Sequence, residues 1–488
     1  MGSRGREIVT LQLGHYSNFV GTHWWNLQDA SLSYDSELGE IDSDVAFREG
    51  QTMCGQLTYT PRLIAMDLKG SLQTLRQEGC LYSTDADRSA ITWEGDITMH
   101  QESPSSKNPF LQDLDKLETG ALLAPDDIDG TNQAHCSAGA TGGDTVNRQL
   151  ERMAQCYALE GSVRFNHDGE AHRLEAFGQG ETVLQGSVLE DLEDRLHFFG
   201  FQVLCDLTNG FSGLGSKLTE MLQDSYSGKG ILTWGMAPVT HPNSTPMQDL
   251  YHVINAALGM VGMANHSSFF CPLTLRGGLG RRPGRPVAFP HLTYDPSLWY
   301  HSSSVLALAL DSLTAPCRLR QNNTPMRQMA DLLTGSGRKV VAAYGALPLP
   351  MTQGATLPDA LSHCADALPW KPLSTCPEGG GGQCYAQLLT LRGLEDQRLV
   401  SRAARGSRPP SALHGLHSGE DVLASYMASF YPTGTLAMHL LSSPSKLTPP
   451  YPQIFSPDVD AQGCLLSRYL PPGCKYTPPY PPGLHLAV

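Results

Sequence analysis

The apolar run Phe201-Gln202-Val203-Leu204-Cys205 ends in the turn Asn209-Gly210-Phe211-Ser212-Gly213-Leu214-Gly215, and Leu214, Leu218, Met221 and Leu222 then recur at helical spacing. A short apolar strand, a glycine turn and an amphipathic helix form the repeating unit of a parallel sheet buried under helices. The same unit recurs. Ile8–Leu13 ends at Gly14 and is followed by Val20, Trp24 and Leu27, Leu63–Met66 ends at Asp67, and Ile231–Trp234 precedes Leu250, Val253, Ile254, Ala257 and Leu258. This alternation predicts an α/β fold whose ligand contacts lie at the carboxyl ends of the strands, where Gly14 and Asp67 stand.

Residues 1–295 read as one parallel-sheet domain interrupted by an insertion at about 97–161, which is rich in Ser, Pro, Asp, Asn and Gly. The dense Ala/Leu pattern of Ser302–Leu313 predicts a buried core helix within 296–315. Residues 316–445 read as a second α+β domain, with strands at Lys339–Ala343 and Tyr385–Leu391 and a helix over Val422–Phe430 capped near Ser418, Glu420 and Asp421. Residues 446–488 read as an extended Pro-rich tail.

With 40% hydrophobic and 17% charged residues over 488 positions, the chain has enough apolar material for a sizeable core. Its net charge of -14 disfavours nucleic acid and anionic lipid as partners. The 12 cysteines include no CxxC pair and read as reduced thiols of a cytoplasmic protein. The N terminus has no apolar leader, and no apolar stretch approaches the roughly 18 residues a spanning helix needs, so only peripheral membrane association is expected.

The turn from Asn209 to Gly215 has two readings. Its amides can converge on an anion with the help of the helix dipole, or its glycines can serve only close packing. It matches neither GxGxxG nor GxxxxGK[ST]. Gly210-Phe211-Ser212-Gly213-Leu214 comes one residue short of the GxSxG elbow, which keeps a serine hydrolase with Ser212 as nucleophile among the alternatives. No HExxH pair occurs, Cys364, Cys376 and Cys384 lack zinc-knuckle spacing, and no metal or catalytic residue is assigned. The four arginines of Arg276–Arg285 read as a solvated loop.

The order of these motifs resembles tubulin. Arg6 through Gly21 is similar to REIVHIQAGQCGNQIG, Pro61–Leu68 to PRAVLVDLEP, Phe177-Gly178-Gln179-Gly180 to FGQSGAGN, and Gly200 through Gly215 to GFQLTHSLGGGTGSG. Gly14-His15-Tyr16, His23-Trp24-Trp25-Asn26 and Asn166-His167-Asp168-Gly169-Glu170 bring the chain closest to the Misato group of divergent tubulin relatives. The resemblance covers most of residues 6 to 435.

The resemblance implies a tubulin-like nucleotide-binding domain, a central core helix and a second domain. It implies weak binding of GTP or GDP with Mg²⁺, lined by Gly14, His15, Asp67, Gly178, Gly210, Ser212, Gly213 and Gly215. For Misato proteins it implies control of mitochondrial distribution, morphology and fusion, exercised from the cytosol at the outer membrane through outer-membrane or fusion-machinery proteins.

Departures from tubulin bear on activity. Phe211 and Leu214 intrude into the glycine loop, His15 replaces a Gln, Lys69 replaces an acid, and no base-contacting Asn is apparent near Cys271–Thr274. Ser297–Ser302 lacks the carboxylate that positions water for hydrolysis. The helix expected at Glu190–Phe199 meets Gly200 early, and the C terminus lacks tubulin's last helices, as a spliced or truncated form would. The expectation is therefore a tubulin-like adaptor that is not an enzyme, with a GTP-dependent, self-assembling cytoskeletal GTPase as the alternative.

Overall fold

The computed structural model describes residues 6–32, 39–51, 57–68, 155–159, 174–184, 192, 200–241, 244–279, 284–364, 368–374, 384–401, 410–448, 451–460, 463–466 and 486–487. The expected insertion, apart from 155–159, lies outside these residues, as do the Asn166–Glu170 motif and the Glu190–Phe199 helix, apart from Leu192.

In chain order the first elements are β1 (Ile8–Leu13), α1 (His15–Ser31), an antiparallel pair β2 (Phe47–Gln51) and β3 (Leu57–Pro61), β4 (Leu63–Leu68) and β5 (Gln155–Leu159). Then come α2 (Phe177–Glu181), β6 (Gly200–Asp206), α3 (Phe211–Ser225), β7 (Gly230–Met236), α4 (Pro246–His266), β8 (Phe269–Leu273) and α5 (Trp299–Arg318).

Six of these strands form one parallel sheet in the order β5-β4-β1-β6-β7-β8. A parallel sheet must be covered on both faces, and the pleat sends alternate side chains to opposite layers. Val9, Leu11 and Leu13 of β1 and Phe201, Val203 and Cys205 of β6 point to a core shared with Leu214, Leu218 and Leu222 of α3. Leu204, Leu232 and Trp234 point the other way, to a core built with Phe19, Val20 and Trp24 of α1 and Val305–Leu310 of α5. The result is an α/β/α sandwich, as the strand-turn-helix pattern predicts. From β1 the chain builds outward through β4 and β5, then returns to β6 on the other side of β1. The crevice between the ends of β1 and β6 is thus the switch point of the sheet.

The remaining elements are α6 (Met326–Leu333), β9 (Tyr344–Gly345), α7 (Leu357–His363), β10 (Lys371–Pro372), β11 (Ala386–Arg392), α8 (Asp396–Leu399), α9 (Gly419–Phe430), β12 (Thr435–Leu441) and β13 (Leu486–Ala487). β11 pairs in parallel with β12 and antiparallel with β13, and Leu389 and Leu391 pack with Leu357, Leu361, Val422 and Tyr426 from α7 and α9. The Ser418 hydroxyl accepts from the Asp421 amide at 3.0 Å and caps α9, as its sequence suggests.

Three expectations are corrected. The core helix runs on to Arg318 through Pro316, because Arg318 is held inside the protein by Asp311 about two turns earlier. Lys339–Ala343 is not a full strand: the Lys339 carbonyl and Val341 amide pair only with Phe270. Residues 446–466 are not a free tail either, since Leu447, Tyr451, Ile454 and Val459 are buried in the main core. Burial of these apolar side chains outweighs the extended preference of the intervening prolines.

Asp311 joins the two sheets. Its carboxylate pairs with Arg318 at 2.8 Å and with Arg392 of β11, and accepts from Gln28 of α1 at 2.8 Å and from Ser445 at 2.9 Å. Burial opposes its ionisation, but Arg392 and Arg318 outweigh this and hold its pKa at about 2, below the ordinary 3.8. Because the folded value is depressed, the stabilisation of about 2 kcal/mol is present above pH ~4 and is lost as pH falls toward 2. Asp311→Asn leaves two arginines buried without a counter-ion, at an expected cost of about 3–5 kcal/mol. Urea midpoints at neutral pH check this, and a change below about 1 kcal/mol would mean the network contributes little.

Candidate functional site

At the switch point, Gly14 ends β1 and starts α1 with φ of 101°, a conformation suited to glycine, and its amide donates to the Met66 carbonyl at 2.9 Å. Gly14 has no side chain with which to cap α1. The cap comes from another strand: Asp206, the last residue of β6, accepts from the Tyr16 amide at 3.2 Å, the Ser17 amide at 2.7 Å and the Ser17 hydroxyl at 2.7 Å. Asn209 donates a fourth hydrogen bond at 3.1 Å. A Cβ on Gly14 would lie 2.6 Å from the Asp206 carboxylate, so only glycine permits the approach.

Asp206 is 2% exposed. Burial and the nearby charge of Asp67 push its pKa up to about 6, against the pull of the Ser17 and Asn209 donors, and it remains mostly ionised at neutral pH. A buried anion on the first-turn amides of a helix is a favourable pairing, because those donors have no partner within the helix.

Asp67, at the end of β4, is buried beside it. Its carboxylate accepts from the Leu68 amide at 2.8 Å and the Asn18 side-chain amide at 3.1 Å, and contacts His15 Nδ1 at 3.1 Å. His15 lies against Phe19 and Trp299, with ring centroids 5.2 and 5.9 Å away. Burial disfavours its charge, yet the Asp67 hydrogen bond and the charges of Asp67 and Asp206 raise its pKa above the ordinary 6.5.

The glycine loop is adjacent but turned inward. The Gly210 amide donates to the Leu174 carbonyl at 2.8 Å, Phe211 to the Asn209 side chain at 3.0 Å, Ser212 to the Asn209 carbonyl at 3.1 Å and Gly213 to the Gly210 carbonyl at 3.0 Å. The Ser212 hydroxyl is also spent on the Asn209 carbonyl, at 2.8 Å. Over the loop lies α2, held by Asn255 of α4, which accepts from the Phe177 amide at 2.8 Å and donates to the Glu175 and Thr208 carbonyls at 2.6 and 3.3 Å.

Close contact explains the glycines. A Cβ on Gly213 would fall 1.9 Å from the Phe177 carbonyl oxygen, and one on Gly180 would fall 1.7 Å from that of Gly210. Gly215 packs on Cys205 and Met263.

The structure thus brings Gly14, His15 and Asp67 to one crevice. Of the residues expected to form the cradle, Gly210, Ser212 and Gly213 donate to protein acceptors, and the Cα atoms of Gly213 and Gly215 are closed against neighbours. Gly178 is exposed on α2 with nothing within 4 Å of a Cβ. Both carboxylates of the crevice and the amides of Gly210, Phe211, Ser212 and Gly213 have hydrogen-bond partners within the chain. The geometry does not fit a serine hydrolase: Ser212 is fully buried and bonded to a carbonyl. In the stretch before α5, the Asp295 carboxylate turns back onto Ser297, at 2.8 Å from its amide and 2.6 Å from its hydroxyl.

Sequence reasoning assigned no site role to Asp206, Asn209, Asn18 or Asn255. Asp206 had a signal: counted from Gly200 it stands opposite the Ser of GFQLTHS.

A model of the Misato Segment II tubulin-like domain matches residues 6–116. Protein misato homolog 1 of Danio rerio is 58% identical, over 97% of this chain and 86% of its own length. The chain belongs to the misato family. The Homo sapiens misato homolog 1 is 43% identical over 93% of this chain and 85% of its own, and misato of Drosophila melanogaster is 28% identical over 94% and 86%. With family and fold both tubulin-like, the filled crevice is a property of a misato chain that keeps the tubulin frame.

Gly213→Ala is expected to cost about 3 kcal/mol, since the methyl meets backbone that cannot withdraw, whereas Gly178→Ala should stay within about 0.5 kcal/mol of the parent. Urea unfolding compares the two. Equal tolerance at both positions would mean that the loop stands open.

Proposed function

We infer that this misato-family chain regulates mitochondrial distribution, morphology and fusion as a tubulin-like adaptor. It acts from the cytoplasm, peripherally at the outer membrane, through contacts with outer-membrane or fusion-machinery proteins. Its nucleotide site is vestigial, with GTP or GDP and Mg²⁺ bound weakly, and it is not a GTPase. The mitochondrial role rests on family resemblance, and the adaptor mechanism on one observation: the loop amides that would hold a phosphate donate instead to Leu174, Asn209 and Gly210. Peripheral attachment agrees with the finding that, among the described residues, no helix is long and apolar enough to cross a membrane.

Purified chain titrated with GTP or GDP in the presence of Mg²⁺ should show a Kd of about 1 mM or weaker, roughly -4 kcal/mol. It should also show no nucleotide-dependent pelleting. In cells, depletion should redistribute or fragment the mitochondrial network, and re-expression of either the parent chain or Ser212→Ala should restore it. A normal network after depletion refutes the mitochondrial role. Rescue by the parent but not by a folded Ser212→Ala chain, together with measurable GTP turnover, refutes the adaptor reading.

A further inference from the structure

We propose that Asp206 is a built-in replacement for a bound phosphate: its side chain occupies the anion position at the α1 N terminus and holds the crevice in one state without nucleotide. This deepens the vestigial-site reading above and rests on it.

Three independent features place an anion here. The crevice is the switch point of the parallel sheet, where such folds receive ligands. The first-turn amides of Tyr16 and Ser17 point into it and need an acceptor that α1 does not supply. Gly14, at φ 101°, leaves room for an anionic group against the backbone, and the Asp206 carboxylate fills that room, 2.6 Å from where a Cβ would stand.

Asp206 meets the requirements of the position as a phosphate oxygen pair would, with Ser17 and Asn209 donating further hydrogen bonds. Unlike a nucleotide it never leaves, so the fold does not wait on a ligand to order this crevice. A phosphate arriving from outside would meet two carboxylates, Asp67 and Asp206, in a region buried from solvent. Coulomb repulsion and the occupied amides both weaken its binding. Attachment of this chain to its partners is consequently not gated by GTP.

The test is to vacate the position. Asp206→Ser shortens the side chain and removes its charge, and Asp206→Asn removes the charge while keeping the volume. Melting temperatures are followed in inorganic phosphate up to about 20 mM at constant ionic strength, where a ligand bound only by the folded state raises stability. The Ser variant should melt below the parent and regain about 4 °C or more with phosphate, while the parent and the Asn variant stay unmoved. GDP with Mg²⁺ should bind the Ser variant at least tenfold more tightly than the parent.

If the Ser variant does not fold from expression, its refolding yield in phosphate against chloride gives the same reading. A Ser variant that is indifferent to phosphate in melting or refolding overturns the inference, and so does a parent that responds equally. A silent Ser variant beside a non-binding parent leaves the vestigial site standing, whereas tight GDP binding by the parent removes that reading first.

Discussion

A carboxylate cannot be buried without donors, and the first turn of a helix has donors that cannot be satisfied from within it. Asp206 and α1 solve each other's problem, and the geometry around the sheet's switch point follows from that pairing. Gly14 takes a positive φ and carries no side chain because the carboxylate must approach it. Asn209 turns toward Asp206 with its amide nitrogen and caps α3 with its oxygen, so the start of α3 is tied to the same carboxylate that caps α1. Asp67, across β1 from Asp206, has its own partners, Asn18, His15 and the Leu68 amide.

The same helix reaches the second ionic centre. Ser17 meets Asp206 near the start of α1, and Gln28 meets Asp311 near its end, about 16 Å along the axis at an ordinary helical rise. Asp311 in turn holds Arg318 at the end of α5 and Arg392 on the smaller sheet. One helix thus runs between two buried carboxylates, from the crevice to the junction of the two sheets. In a nucleotide-switched protein such a path would carry a change of state. Here the crevice end is fixed by a covalently attached anion.

What the sequence made legible was whatever obeys a local period. The runs Ile8–Leu13, Phe201–Cys205 and Ile231–Trp234 are strands because they are mostly apolar, and a parallel sheet buries both of their faces, with Thr10, Gln12, Gln202 and Thr233 taken inside as well. The placing of Gly14 and Asp67 at strand ends was equally readable. Contacts between distant segments were not: nothing local marks Asn255 as the residue that clamps α2, 80 positions from its partner Glu175. Pro-rich composition misled at Tyr451–Val459, where buried aromatic and aliphatic side chains decide the path. Asp206 was readable only by counting through the family string and asking what an acid does where a small hydroxyl stood.

That acid changes what the surviving glycines mean. A loop that keeps Gly210, Gly213 and Gly215 invites the conclusion that phosphate still binds, yet each of these positions has a packing reason that involves no ligand. Gly210 and Gly213 let α2 cross the start of α3 at backbone contact, and Gly215 lets α3 sit on Cys205 and Met263. Had the glycines been kept for phosphate, their amides would face the crevice and lack acceptors. The Gly210 and Gly213 amides instead donate to the Leu174 and Gly210 carbonyls, and the anion site they border is served by Asp206 at the end of the preceding strand. The tubulin frame can therefore persist with its anion supplied from within, because the loop amides that would hold a phosphate serve contacts of the frame itself.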